Sequence, residues 1–288
     1  MKNVIFANME YITLNNGVRM PLLGYGVFQV SPAECERCVS DALSVGYRLI
    51  DTAQAYMNEE GVGAAMAKSG IDREEIFLTT KVWISNSGEK RAAASIDESL
   101  RKLRTDYIDL LLIHQPFGDY YGTYRAMEAA LSAGKVRAIG VSNFRPDRFI
   151  DLSQNVLVKP AVNQLEVNVF SQQNESREVH RETDTRLMAW APLAEGAHDF
   201  FRHPVLTEIG ARYGKSAAQV GLRFLVQQGI VAIPKSSKIE RMRQNFDVFD
   251  FTLSGDDMKT LQGLNETDGG TVPFTSKEFT RSITSLRV

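Results

Sequence analysis

The sequence lacks the features that mark secreted, membrane-spanning and nucleic-acid-binding proteins. Its 288 residues include two cysteines, too few for a disulfide framework. No apolar run approaches the ~18 residues of a membrane-spanning helix, and the first residues show neither the long apolar region nor the cleavage site of a signal peptide. The net charge of −2 does not indicate nucleic acid or an acidic membrane as a partner. We therefore expect a cytoplasmic protein that binds neither nucleic acid nor membrane.

The two cysteines form a Cys-x-x-Cys motif, Cys35 to Cys38, that lacks the context of a redox or metal site. The motif falls inside a helix that we expect to begin at Pro32, after a capping box of Ser31 and Glu34. A redox pair belongs at a helix N-terminus, and a zinc site needs a second pair of Cys or His. We predict that these thiols serve packing, and we expect no metal site.

The sequence also lacks G-x-G-x-x-G, the loop that binds dinucleotide phosphates in open nicotinamide-binding sheets. A phosphate-binding pattern appears late in the chain instead, where a predicted helix starts after the seventh predicted strand. Barrels often bind phosphate at such a helix N-terminus. The alternative is an ordinary surface helix capped by serines. The residues concerned are Lys235, Ser236, Ser237, Lys238 and Arg241.

Strands and helices alternate along the chain, and the composition, 43% hydrophobic and 24% charged, is that of a globular protein. A hairpin with an Asn16-Gly17 turn precedes the repeat. We predict strands at 49–51, 76–81, 108–114, 136–141, 161–165, 187–190, 230–234 and 248–251. Eight parallel strand–helix units without a linker favour a single (β/α)₈ TIM barrel, of the α/β class. We expect one domain over residues 1–288, with the hairpin in 1–21 and a tail, 265–288, that forms a C-terminal loop over the active-site face.

Polar residues stand at three successive strand ends: Asp51, Lys81 and His114, with Tyr56 shortly after Asp51. Alone, each has an ordinary role as a turn cap, surface charge, buried histidine or packing residue. Together, each group sets the protonation state of another. A phenol with a pKa near ~10 is a poor acid, a nearby ammonium favours its ionised form, and a carboxylate holds that ammonium charged. The set therefore predicts a site for general acid catalysis.

With these motifs the chain resembles the aldo-keto reductase family from Met20 to at least Asn265. The stretch Gly46–Ala53, with Glu59 and Gly63, matches the first family signature. Ala138–Phe144 matches the second, and Ile233–Ser236, with Arg241 and Asn245, the third. Within the family, the segments 114–116 and 190–193 resemble the bacterial 2,5-diketo-D-gluconate reductase-like group.

The resemblance implies NADPH-dependent reduction of an aldehyde, ketone or keto-sugar by a monomer. Tyr56 would protonate the carbonyl oxygen, Lys81 would lower the pKa of Tyr56, Asp51 would pair with Lys81, and His114 would orient the carbonyl. The implied cofactor contacts are Ser142, Asn143 and Gln164 at the nicotinamide amide, Trp190 on the ring, Lys235, Ser236 and Arg241 at the 2′-phosphate, and Gln244 and Asn245 at the adenine. Pro192, Leu193 and Ser237 are further implied cofactor contacts. Phe28, Trp83 and Phe117 would line the substrate pocket.

The sequence departs from the family pattern at several places. Gln244 stands where many relatives carry Glu, and Ala191 where many carry Ser, so those contacts are expected to weaken. Phe28 replaces a frequent Trp, which reshapes the pocket. Asn168 replaces a common His, with no consequence that we derive.

Two other functions stay open at this point. One is a Schiff-base aldolase with Lys81 as nucleophile, which an adjacent carboxylate disfavours because such lysines need a depressed pKa. The other is a cofactor-binding scaffold without turnover. For the tail, we expect a flap that carries Phe274 and Phe279, made pliable by Gly269-Gly270. Its alternative is a terminus packed on the outer wall.

Overall fold

The computed structural model of the protein describes residues 9–266, 272–273 and 276–287. The strands in these ranges are β1 (Tyr11–Thr13), β2 (Arg19–Pro21), β3 (Tyr25–Gly26), β4 (Leu49–Asp51), β5 (Phe77–Val82), β6 (Ile108–Ile113), β7 (Val136–Ser142), β8 (Val162–Glu166), β9 (Arg186–Trp190) and β10 (Val231–Ala232). The α-helices are α1 (Pro32–Val45), α2 (Glu59–Lys68), α3 (Glu89–Leu103), α4 (Tyr120–Ser132), α5 (Pro146–Gln154), α6 (Asn174–Glu182), α7 (Pro204–Tyr213), α8 (Ala217–Val226), α9 (Ile239–Phe246), α10 (Gly255–Gln262) and α11 (Lys277–Ser285). Among the described residues, no helix has the length and apolar character needed to cross a membrane.

Strands β3 to β10 form one parallel sheet of eight strands in sequence order. The sheet closes because Leu23 pairs with Ala232 and the Gly24 N–H donates to the Ala232 carbonyl at 2.8 Å. The barrel strands are buried on both faces, as expected for parallel strands covered by helices. The predicted (β/α)₈ barrel is confirmed.

The last predicted strand, 248–251, is wrong. That segment forms no strand, and its Val248 carbonyl accepts a hydrogen bond from Arg223 Nη1 at 3.3 Å instead. The first barrel strand is instead β3, the two-residue strand Tyr25–Gly26, for which the sequence predicts no strand. A Cβ at Gly26 would lie 3.1 Å from the Ile233 carbonyl oxygen, so glycine permits the close approach of the first and last strands. The basic segment after Ile233 therefore follows the eighth barrel strand.

The predicted hairpin is confirmed, with β1 and β2 antiparallel and Gly17 at φ +86°. Asn15 Nδ2 donates to the Pro160 carbonyl at 3.1 Å and Asn16 Nδ2 to the Arg137 carbonyl at 2.9 Å. These acceptors precede or begin barrel strands, so the hairpin covers the amino end of the barrel. The hairpin therefore does not cover the carboxyl end, where the active sites of such barrels lie.

Helix α1 begins at Pro32 as predicted, but the capping box is wrong. Ser31 Oγ bonds the Glu34 carboxylate at 3.1 Å and caps no backbone N–H. Cys35 and Cys38 are both fully buried and free. Burial raises the pKa of the Cys35 thiol to about 12, which makes it unreactive at neutral pH. The packing interpretation of this motif therefore fits the structure.

Candidate active site

The structure brings the four predicted catalytic residues together at the carboxyl ends of β4, β5 and β6. Asp51 ends β4, Lys81 lies one residue before the end of β5, and His114 follows β6 directly. Tyr56 belongs to a short 3₁₀ turn, Gln54–Tyr56, that leaves β4. Because neighbouring parallel strands end at the same edge, their last side chains converge there.

Lys81 is the centre of this cluster and is fully buried. Its Nζ donates to Asp51 Oδ1 at 2.6 Å, to the Thr52 carbonyl at 2.9 Å and to the Tyr56 hydroxyl at 3.3 Å. Burial lowers the pKa of Lys81, but Asp51 and Tyr56 raise it further, so the net pKa is raised. The amine therefore stays protonated, which argues against a Schiff-base lysine.

Tyr56 and His114 are both held in their uncharged forms at neutral pH. Burial raises the pKa of Tyr56, and the charge of Lys81 opposes that rise without reversing it. Lys81 thus acts in the direction implied by the resemblance, yet the net pKa is raised and the phenol keeps its proton. Burial and the nearby Lys81 charge lower the pKa of His114 well below its usual value. Its ring is neutral and packs edge-on, 5.5 Å from the Tyr56 ring centre.

The residues implied to hold the nicotinamide form a hydrogen-bonded network with this cluster. Gln164 Nε2 donates to Asp51 Oδ2 at 2.8 Å, and Ser142 Oγ donates to the Gln164 carbonyl at 3.0 Å. Asn143, in the left-handed region at φ +64°, donates to the His114 carbonyl at 3.0 Å. Its Oδ1 accepts from Trp190 Nε1 at 3.0 Å. The bond from Gln164 to Asp51 was not predicted from the sequence.

The loop after β9 carries Pro192, which is buried, and Leu193, which is half-buried. Positive φ angles recur in this loop, at Ala191, Ala194 and Glu195. Such backbone conformations are uncommon for residues other than glycine and often accompany functional sites.

The basic segment lies between β10 and α9, where the sequence placed it. Lys235, Lys238 and Arg241 are exposed, and within the described ranges no carboxylate pairs with any of them. The serine cap of the alternative interpretation does not form, since Ser236 Oγ accepts from the Lys238 N–H at 3.1 Å and no side chain caps α9. The Ser236 carbonyl accepts from the Tyr25 hydroxyl at 2.7 Å, which ties the segment to β3. Ser237 and Gln244 are exposed, and Asn245 is buried on α9.

The three predicted pocket residues differ in how they meet the cluster. The Phe28 ring is 50% exposed and lies 5.1 Å from the Tyr56 ring centre. Trp83 is buried, with its ring 4.9 Å from His114. Phe117 is half-buried in the loop after His114, and no ring contact joins it to the cluster in the part of the chain described.

The C-terminal tail reaches the mouth of the barrel. Trp83 Nε1 donates to the Leu286 carbonyl at 3.2 Å, so residues beyond α11 contact the pocket wall. The tail was predicted as an aperiodic loop, and α11 corrects that. The helix begins after Ser276, whose Oγ accepts from the Phe279 N–H at 3.0 Å. Phe274 and Gly269-Gly270 of the proposed flap lie outside the described residues.

Sequence reasoning missed two buried amides that support the cluster. Asn58 Oδ1 accepts from Thr52 Oγ1 at 2.8 Å, and its Nδ2 donates to the Val27 carbonyl at 3.0 Å and the Val30 carbonyl at 3.1 Å. Gln54 is the second buried amide, and its Oε1 accepts from the backbone N–H of Trp83. Both flank Tyr56 and are buried, while Ala55 and Tyr56 are half-buried and Met57 is exposed. Buried amides need hydrogen-bond partners, but no pattern in the sequence marks these two positions as buried.

A cavity of about 620 Å³ lies at the opposite end of the barrel, beneath the hairpin. Asp109, near the start of β6, lines it, whereas His114 follows the end of that strand. This cavity is therefore separate from the cluster around Lys81. Among the described residues, no three His, Cys, Asp or Glu side chains are grouped to hold a metal ion. The absence of a metal site stays a prediction.

A closed (β/α)₈ barrel with an Asp–Lys–Tyr–His cluster at its carboxyl end and a cationic segment after its last strand defines an oxidoreductase of the barrel type. The sequence model of the Aldo/keto reductase family matches residues 22–266, and the chain belongs to this family.

Individual relatives agree with this assignment. The chain is similar to glyoxal reductase of Bacillus subtilis, with 44% identity over 259 residues that cover 89% of this chain and 93% of that protein. A solved structure of a putative 2,5-diketo-D-gluconic acid reductase B matches with a TM-score of 0.88 and 40% identity, over 93% of this chain and 96% of that one. An aldo-keto reductase of Bombyx mori in complex with NADP matches with a TM-score of 0.85 and 33% identity, over 90% and 94% of the two chains. The predicted family and its diketogluconate reductase-like group are confirmed.

Proposed function

We propose that the protein reduces aldehydes, ketones or keto-sugars to alcohols with NADPH, and that Tyr56 is the general acid. One observation carries the proposal: the Tyr56 hydroxyl lies 3.3 Å from the buried ammonium of Lys81, which Asp51 binds at 2.6 Å. A phenol in this setting keeps its proton at neutral pH and leaves a phenolate that the ammonium stabilises.

The residues around the cluster fit a phosphorylated nicotinamide cofactor. Lys235, Lys238 and Arg241 present exposed charge without a carboxylate partner among the described residues, which suits the 2′-phosphate of NADPH. Beside the cluster, Gln164 Nε2 donates both of its hydrogen bonds within the protein, one to Asp51 Oδ2 and one to Met188 Sδ. Its Oε1 accepts no hydrogen bond within the described residues and is available to a carboxamide.

The remaining contacts follow the same proposal. Ser142 and Asn143 would share the nicotinamide amide with Gln164, and Trp190 would cover the ring. The other proposed cofactor residues are Pro192, Leu193, Ser236, Ser237, Gln244 and Asn245. When bound, NADPH supplies the hydride to the carbonyl carbon, since the protein itself has no hydride donor.

The chain's own residues would handle the proton and the oxygen. His114, neutral at physiological pH, would donate a hydrogen bond to the carbonyl oxygen and hold it beside Tyr56. The phenolic proton passes to that oxygen as the alcohol forms. Lys81 then faces a phenolate, while Asp51 and the Thr52 carbonyl keep the ammonium in place. Phe28, Trp83 and Phe117 would bound the substrate.

A panel of small-molecule carbonyls at fixed NADPH tests the proposal. We expect oxidation of NADPH at the nicotinamide absorbance, matched one-to-one by alcohol product, for at least one member among aldehydes, ketones and keto-sugars. Tight NADPH binding without turnover on any member would favour the scaffold alternative. Borohydride trapping of a substrate on Lys81 would favour the aldolase. The single domain over 1–288, the monomeric state and the cytoplasmic location stay predictions.

A further inference from the structure

Gln54 is a buried amide in the catalytic stretch that no step of the proposed reaction uses. It is 9% exposed and begins the 3₁₀ turn that ends at Tyr56. Its Oε1 accepts from the backbone N–H of Trp83 at 3.0 Å and from Asn86 Nδ2 at 2.9 Å. These two bonds fill the acceptor capacity of the side-chain carbonyl.

The other end of the same amide is anchored on helix α3. Gln54 Nε2 donates to the Ser95 carbonyl at 3.2 Å and to Ser99 Oγ at 3.1 Å. The amide therefore spans two elements, with its carbonyl on the loop after β5 and its nitrogen on α3. A side chain so completely bonded holds those elements at a fixed separation, since leaving any of these groups unpaired in the interior is costly.

The loop bonded to the Gln54 carbonyl carries a wall of the site. Trp83 packs its ring edge-on to His114 at 4.9 Å, and its indole N–H holds the Leu286 carbonyl of the tail at 3.2 Å. Gln54 thus connects the turn that carries Tyr56 with the residue that meets both the pocket and the tail.

We propose that Gln54 is a positioning residue that seats Trp83, and so sets both the substrate wall and the docking point of the C-terminal tail. The consequence for carbonyl selectivity rests on the proposed function, whereas the placement of Trp83 does not. Gln54 touches no reacting group, so its effect must pass through Trp83.

Two substitutions distinguish an effect on the position of Trp83 from an effect on overall stability. Gln54→Met keeps the length of the side chain and removes all four bonds. Gln54→Glu keeps the oxygen that accepts from the Trp83 backbone N–H and from Asn86 Nδ2, and replaces only the nitrogen on the α3 side. Loss of a buried hydrogen bond at the wall should change the ratio of kcat/KM between bulky and small carbonyls about tenfold in Gln54→Met. The Kd for NADPH, and kcat for the smallest carbonyl, should stay close to wild type.

Tryptophan emission gives a readout that needs no turnover. The chain has two tryptophans, so a Trp190→Phe background leaves Trp83 as the sole tryptophan, which is excited selectively at wavelengths where tyrosine does not absorb. In that background we expect acrylamide to quench Trp83 more strongly in Gln54→Met than in the parent, and Gln54→Glu to behave like the parent. Gln54→Asn, one methylene too short to span loop and helix, should follow Gln54→Met and serves if the latter folds poorly.

Two results would overturn the proposal. In the first, Gln54→Met lowers Tm while Trp83 quenching stays at the parental level, which would show a role in stability alone. In the second, kcat falls equally for every carbonyl, which would place the effect on Tyr56. Absence of turnover in the wild-type protein would instead count against the proposed function, and the quenching comparison would still decide the role of Gln54.

Discussion

Replacing Tyr56 by phenylalanine removes one hydroxyl from the cluster and little else. The ring contacts with Phe28 and His114, at 5.1 Å and 5.5 Å, do not require the oxygen. Lys81 keeps Asp51 and the Thr52 carbonyl as partners, so no buried charge is left alone. The substitution therefore tests the acid without disturbing its surroundings.

The expected loss follows from what remains. A positioned general acid contributes about 10²–10⁴-fold, equivalent to about 3–5 kcal/mol of barrier. Tyr56 is half-buried, so in the variant a water molecule can still donate a proton to the carbonyl oxygen, but far less efficiently than the phenol. We expect kcat to fall about 10³-fold, in the middle of that range. The Kd for NADPH should change little, because the hydroxyl is not among the proposed cofactor contacts.

The assay is steady-state NADPH oxidation, with cofactor affinity measured separately by fluorescence titration. Tyr124→Phe is the matched control, because this buried hydroxyl donates to the Val158 carbonyl at 3.0 Å, far along the chain from the cluster. It should cost about 1 kcal/mol of stability and leave kcat unchanged. A wild-type kcat in Tyr56→Phe would refute the assignment of the acid.

Three further predictions concern the cofactor segment, the tail and acid stability. Arg241→Ala should weaken NADPH much more than NADH, through lost charge-assisted bonds to the phosphate; equal loss for both would show that the segment does not read it. Truncation after Glu266 removes the Leu286 carbonyl that Trp83 binds, so it should preserve NADPH binding and change kcat/KM unequally, most for bulky apolar carbonyls; a uniform change or none would place the tail on the outer wall. Burial lowers the pKa of His180 from 6.5 to about 4, so the unfolded chain binds the proton more tightly, and stability present above pH 6.5 is lost as pH falls towards 4, by up to about 3 kcal/mol. His180→Gln should reduce this acid-dependent loss of stability, which urea unfolding measures between pH 6.5 and 4. An unchanged pH dependence of stability in the variant would show that His180 does not cause the loss.

The sequence was enough to predict the barrel and the convergence of Asp51, Lys81 and His114 at one end of it, because both depend on local order. Alternating apolar runs and helices determine the repeat, and a polar residue at a strand end lands at the carboxyl edge regardless of register. Asp51, Lys81 and His114 needed no knowledge of distant contacts to be placed together.

The two misassigned strands and the unpredicted bond to Asp51 depend on contacts distant in sequence. The strand β3 has two residues and is defined by its pairing with β4. The bridge to Ala232 comes from Leu23, just before β3. The segment 248–251 has strand-like composition, but Arg223 takes its Val248 carbonyl. The bond from Gln164 to Asp51 spans 113 positions, and no local pattern announces it. The direction of the net pKa shift of Tyr56 likewise required its burial to be known.

The most direct test of the central claim is a double-mutant cycle on Tyr56 and Lys81. The claim is that the phenol and the ammonium act as one proton-donating unit, 3.3 Å apart. Kinetic effects of residues that act as a unit are strongly non-additive. With NADPH binding retained as the criterion of folding, kcat of Tyr56→Phe/Lys81→Met should match that of the slower single variant. Losses that multiply across the two substitutions would show that Lys81 acts independently of Tyr56 and would contradict the account.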